Sequence, residues 1–239
     1  MACEPGLKND VLSLEILPSL GGRIWRARLA DGHDILRVNG NDKDGYHPDV
    51  DGYEEYATPE LRGLGWNENY TVKAQGKDFV EMECLLKDGV LVTRRIELAG
   101  NAFKVSSKYT SKTAKDKRSF RVHPVFNVPE LKNATLIRTL ADGKKSVVLS
   151  SLLSDDVDYL EIWGKEADKP QGHWQLSFET ADKKTCTITN TFNPADVDFC
   201  YMYMNTTNNH VNLEQWSAPK ELTPTDGPAI TNTYTIDVK

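Results

Sequence analysis

No stretch of the 239 residues comes near the ~20 consecutive apolar residues that a membrane-crossing helix needs, so no membrane partner is expected. Basic charge is also scarce. Lys and Arg total 29 against 35 Asp and Glu, a net charge of −6, which argues against nucleic acid because phosphate binding needs a concentrated basic surface. The one basic run, Lys112 to Arg118, is interrupted by Asp116 and sits where a turn is expected, so it reads as a solvated loop. The four cysteines (Cys3, Cys84, Cys186, Cys200) show no CxxC spacing and no histidine pair near them, which sets zinc aside. Cys84 and Cys200 fall in alternating or apolar runs and read as small buried hydrophobes. The N-terminus lacks the basic-then-apolar pattern of a secretory leader. The compartment is therefore cytoplasmic, or periplasmic or extracellular if a leader has been removed. Cys3 before Glu-Pro-Gly would suit the first residue of a processed bacterial lipoprotein.

Sustained helical periodicity is missing too, and period-two alternation stands in its place. Val11 to Leu17 alternates and stops at Pro18; Gly21 to Leu29 resumes, and Asp31-Gly32 supplies a hairpin-type turn before Asp34-Ile35-Leu36. Further strands are predicted over residues 70–73, 79–86, 90–98, 103–109, 120–126, 135–138, 145–149, 174–179, 185–190, 199–205, 210–215 and 233–238, with Asp88-Gly89 and Gly100-Asn101 as tight reversals. Leu152 to Ile162 has room for a short helical turn. Many strands at this spacing indicate an all-β antiparallel sandwich, and the lack of a linker or repeat indicates one domain over 1–239.

Residues 39–69 break the pattern, being rich in Gly, Asp, Tyr and Glu. They read as an ordered excursion over one sheet face. A calcium loop through Asp42, Asp44, Asp49 and Asp51 fails on spacing and on the missing bidentate Glu, so no metal is assigned.

Two apolar runs each deliver one titratable side chain: Val122-His123-Pro124-Val125-Phe126-Asn127 and Val211-Asn212-Leu213-Glu214-Gln215-Trp216. Arg121 alternates with His123 and should share its sheet face, placed to pair with Glu214 or to hold a substrate group. On the residues alone, His123 is as well explained by a hydrogen-bonded core histidine, and Glu214 by a rim residue.

In order along nearly the whole chain, Leu14 to Ile24 with its glycine turn, Arg94 to Leu98 followed by Phe103-Lys104-Val105, His123 to Asn127, Leu213-Glu214-Gln215 and Leu222 to Gly227 resemble segments of the galactose mutarotase-like (aldose 1-epimerase-like) family. The resemblance implies a galactose mutarotase-like supersandwich that holds a mono- or oligosaccharide in a concave sheet cleft. It also implies anomer interconversion by ring opening, with Glu214 as base, His123 as acid, pKa values tuned towards neutrality, and no cofactor. Two departures stand against the full chemistry. The family's early second histidine has no counterpart in Leu61 to Tyr70, His47 upstream reads equally well as a loop residue beside Tyr46 and Pro48, and the substrate-holding aspartate is not evident.

Arg62, Trp66, Asn67, Glu68, Arg121 and Trp216 complete the candidate substrate-binding set, because tryptophans beside hydrogen-bonding side chains, Asn67 and Glu68 next to Trp66 and Gln215 and Ser217 next to Trp216, suit a sugar. Trp163 and Trp174 are further stacking platforms, whereas Trp25 reads as core. A non-catalytic carbohydrate-binding or accessory module of a polysaccharide-processing system explains the same residues, and a sandwich with no sugar site remains a third reading.

Overall fold

The structure, a computed structural model, describes residues 5–38, 52–58, 63–148, 159–165, 168–205 and 209–239. With strands numbered in chain order, the first sheet runs β1 (Gly6–Lys8), β2 (Leu12–Leu17), β3 (Arg23–Leu29), β4 (Tyr53–Tyr56), β10 (Arg121–Asn127), β17 (His210–Ser217), β16 (Val197–Asn205), β13 (Tyr159–Lys165). The second runs β12 (Gly143–Val148), β11 (Thr135–Leu140), β14 (His173–Glu179), β15 (Thr185–Phe192), β19 (Ala229–Val238), β8 (Ala102–Ser111), β7 (Val90–Ala99), β6 (Phe79–Leu85), β5 (Thr71–Gln75). A short ribbon pairs β9 (Lys117–Arg118) with β18 (Lys220–Glu221). Every pairing is antiparallel, and no α-helix occurs among the described residues.

Alternation explains the packing. Val80 and Met82 in β6, Val92 and Ile96 in β7, and Phe103 and Val105 in β8 point inward to meet Ile16, Ile24, Val122, Phe126 and Leu213 from the first sheet. The fold is thus the antiparallel β-sandwich that the period-two pattern implies.

Two polar stitches cross this apolar interior. Arg94 of β7 reaches Glu55 of β4 at 2.7 Å and donates to the carbonyls of Gly21 and Gly22 at 2.7 and 2.8 Å. Glu55 also accepts from Tyr53, Ser107 and Tyr109. Gly21 has to be glycine: its φ is +71°, and a Cβ there would lie 1.9 Å from the Trp66 carbonyl oxygen. The second stitch is an amide chain. Gln215 donates to Asn190 at 3.0 Å, Trp174 donates to the same oxygen at 2.8 Å, and Asn190 donates to Asn232 at 2.9 Å.

Several expectations need correction. β4 lies inside the segment read as an excursion over a sheet face; it is instead a buried strand between β3 and β10. Its sequence, Tyr-Glu-Glu-Tyr, has no apolar alternation because its charges are buried with partners, Glu54 against Arg23 and Glu55 against Arg94. Residues 159–165, which overlap the predicted helical turn, form an edge strand. Trp174 is packed inside the sandwich at 1% exposure, so it is no sugar platform, while Trp25 is only half-buried, beside a register shift between β2 and β3. Asp34 and Leu36 make single bridges rather than a strand. The four aspartates weighed for calcium, His47 and Arg62 lie outside the described residues.

Candidate functional site

Strand register assembles a row of side chains on the outer face of the first sheet. Ile24 pairs with Tyr53, which sets Arg23 beside Glu54; Glu54 pairs with His123. The Arg121–Trp216 and Val125–Asn212 pairs place His123 opposite Glu214, which pairs with Tyr201, itself paired with Trp163. Directly opposite residues on one face are side-chain neighbours. The row therefore reads Arg23, Glu54, His123, Glu214, Tyr201, Trp163. A parallel row, Tyr56, Arg121, Trp216, Phe199, runs beside it.

His123 stands between two carboxylates. Its Nε2 lies 3.1 Å from Glu214 Oε1 and 3.0 Å from the Asn212 amide nitrogen; its Nδ1 lies 3.9 Å from Glu54 Oε2. Glu54 is ion-paired to Arg23 and accepts from the Tyr56 hydroxyl. Glu214 is gripped by Arg121, whose Nε donates to Oε2 at 2.6 Å. The Arg121 guanidinium sits 4.7 Å from the Trp216 ring and 5.8 Å from that of Tyr56, a cation held between two π faces. Trp66 closes the other flank, 6.5 Å from Tyr56 and 5.9 Å from the Arg23 guanidinium. His123, Glu54 and Glu214 are each buried to within 2% of full burial.

Burial by itself would raise the Glu214 carboxyl. The charge of His123, its hydrogen bond, and the charge and hydrogen bond of Arg121 outweigh it and hold the carboxyl below its ordinary value. That differs from the near-neutral tuning implied by the family resemblance. Glu214 is ionised at neutral pH and is a weak base while Arg121 holds it.

The structure thus brings His123, Glu214, Arg121, Trp216 and Trp66 together. Asn67 is exposed on the turn after Trp66, and Glu68 accepts from the Asn67 backbone and bears on Tyr70 and Cys84, so no described contact joins either side chain to His123. Gln215 and Ser217, read beside Trp216 as sugar-facing groups, point inward to Asn190 and to the Phe120 backbone. Sequence reasoning missed Arg23, Glu54, Tyr56, Asn212 and Tyr201. The available signal was parity: Asn212 shares the face of Glu214 two residues along β17.

His210, further along the same face, offers a test of the site's acid response. Burial, then the charges of Arg37 and His123, push its pKa from 6.5 down to about 4. A folded-state pKa below the unfolded one means the unfolded chain takes the proton first. Stability falls as pH drops through 6.5 and levels off below about 4, by roughly 3 kcal/mol in total. His210→Asn is expected to flatten the denaturant-midpoint profile between pH 6.5 and 4. An unchanged profile would assign that slope to other groups.

The two sheets and the row on one outer face define a class: an antiparallel β-sandwich presenting a paired imidazole and carboxylate among aromatics. Solved structures supply the likeness. The fold matches the Slr1438 protein from Synechocystis sp. PCC 6803 at a TM-score of 0.73 and 11% identity, covering 100% of this chain and 97% of that one. It matches a candidate aldose 1-epimerase from Escherichia coli K12 at 0.67 and 12%, covering 99% of each chain. It also matches the galactose mutarotase related enzyme from Lactobacillus acidophilus at 0.66 and 12%, covering 98% and 97%. The fold is therefore the galactose mutarotase-like sandwich over the full length of such chains. No family model and no curated protein sequence matches the chain.

Proposed function

We propose that the outer face around His123 and Glu214 binds a sugar and that the pair interconverts its anomers. The single observation carrying this reading is the 3.1 Å contact between a buried imidazole and a buried carboxylate, with the Tyr56 ring 5.6 Å from the imidazole, on a fold shared with a galactose mutarotase related enzyme. Glu214 takes the proton from the C1 hydroxyl, and His123 gives one to the ring oxygen. The C1–O5 bond breaks, the open chain turns about C1–C2, and reclosure returns both protons. Glu54, held by Arg23 and Tyr56, lies on the far side of the imidazole, 3.9 Å from Nδ1.

A second reading rests on Arg121. A carboxylate chelated by a guanidinium is a poor base, so the same face serves as a sugar-binding module of a polysaccharide-processing system. Polarimetry separates the two. Faster decay of optical rotation in a freshly dissolved hexose or pentose supports the epimerase. Sugar binding with no acceleration supports the module, and neither effect removes both.

A further inference from the structure

Trp163 is 56% exposed on β13, the edge strand of the first sheet, yet it is not isolated. Its ring lies 4.4 Å from Tyr201 and 5.2 Å from Phe199; Phe199 lies 4.6 Å from Trp216, which carries the Arg121 guanidinium. An aromatic band therefore runs unbroken from the acid–base pair to the sheet edge. Trp163 stands two strands from Glu214, about 10 Å at normal strand spacing, beyond the reach of a single sugar ring seated on His123 and Glu214.

Core packing does not account for this band, because it lies on the outer face. Its polar partner points to a ligand. Exposed Glu161 accepts from the Tyr201 hydroxyl at 2.7 Å and from the Trp163 indole nitrogen at 3.3 Å, which fixes a carboxylate, with lone pairs to spare, beside the rings. Flat aromatic faces edged by a fixed acceptor match a pyranose, with its C–H face and its rim of hydroxyls; a purely apolar partner would leave that carboxylate unused.

We propose that this band is a set of subsites for a linear oligosaccharide. One terminal residue sits at His123 and Glu214, and further residues stack over Trp216 with Phe199 and then over Trp163. The inference rests on the sugar site proposed above and narrows its substrate class from a free monosaccharide to a chain of at least two or three pyranoses.

Titration calorimetry of the whole chain against unbranched gluco-, galacto- and manno-oligosaccharides of two to four residues, beside the parent hexoses, tests it. The expected result is an oligosaccharide at least ~10-fold tighter than its hexose, with that ratio falling to near one in Trp163→Ala. The substitution is at an exposed edge and should leave thermal unfolding close to wild type. Hexose binding with no gain from added residues would overturn the inference and leave the single-ring site standing, as would a ratio unaltered by Trp163→Ala. Binding of neither sugar would remove both. A wild-type dimer in light scattering that Trp163→Ala dissolves, with the affinity ratio unaltered, would assign the band to a second copy of the chain instead.

Discussion

Glu214→Gln is expected to lower the rate of anomer interconversion by about 10²- to 10⁴-fold, the usual contribution of a positioned general base. Sugar affinity should fall far less, because the amide keeps the size of the side chain and one acceptor oxygen. The prediction requires that Glu214 act as an ionised base, and its environment keeps it ionised: the carboxyl is held below its ordinary 4.5. Activity limited by this group rises as pH climbs through the depressed pKa and is flat above it, so the acid limb of kcat/KM lies below 4.5. Arg121→Gln removes one of the two charges that depress the carboxyl, and the acid limb should then move upward. Polarimetry of both variants across pH reads this directly. An acid limb that stays in place in Arg121→Gln would mean that the guanidinium does not set the basicity of Glu214.

The sequence made the sandwich legible because alternation is a local signal: β6, β7 and β8, with glycine turns at Gly89 and Gly100, stand where the residues place them. His123, Glu214 and Arg121 were legible for the same reason, each standing out against an apolar run. What stayed hidden was every feature whose meaning depends on a distant partner. β4 reads as a polar loop until Arg23 and Arg94 are seen beside it, since a carboxylate is tolerated in a sheet interior only where a cation meets it. Trp174 and Trp163 carry equal stacking promise as letters, yet one is locked into the amide chain of the core and the other stands at a sheet edge. Gln215 and Ser217 were misplaced although parity along β17 sets them on the face opposite Glu214 and Trp216.

Arg94→Met is expected to destabilise the fold by about 3–5 kcal/mol, the usual consequence of removing one partner of a buried ion pair. Arg94 and Glu55 have side chains 0% and 1% exposed, so no water replaces the lost contact. Glu55 keeps its hydroxyl donors from Tyr53, Ser107 and Tyr109 but loses its cation. The Gly21 and Gly22 carbonyls lose their donor as well. That second loss decides what the double variant should do. Arg94→Met with Glu55→Gln removes the stranded charge and recovers part of the stability, but the two carbonyls stay unpaired and recovery is incomplete. The single and double variants, compared by urea unfolding, give a coupling energy between the two positions; a value near zero would show that the ion pair contributes little beyond packing. The consequence also reaches the site. Glu55 anchors β4 from inside the sandwich, while its neighbour Glu54 faces His123 from the outside. Loosening the inner anchor should therefore displace the outer carboxylate, and Arg94→Met should lose sugar affinity even under conditions where it remains folded.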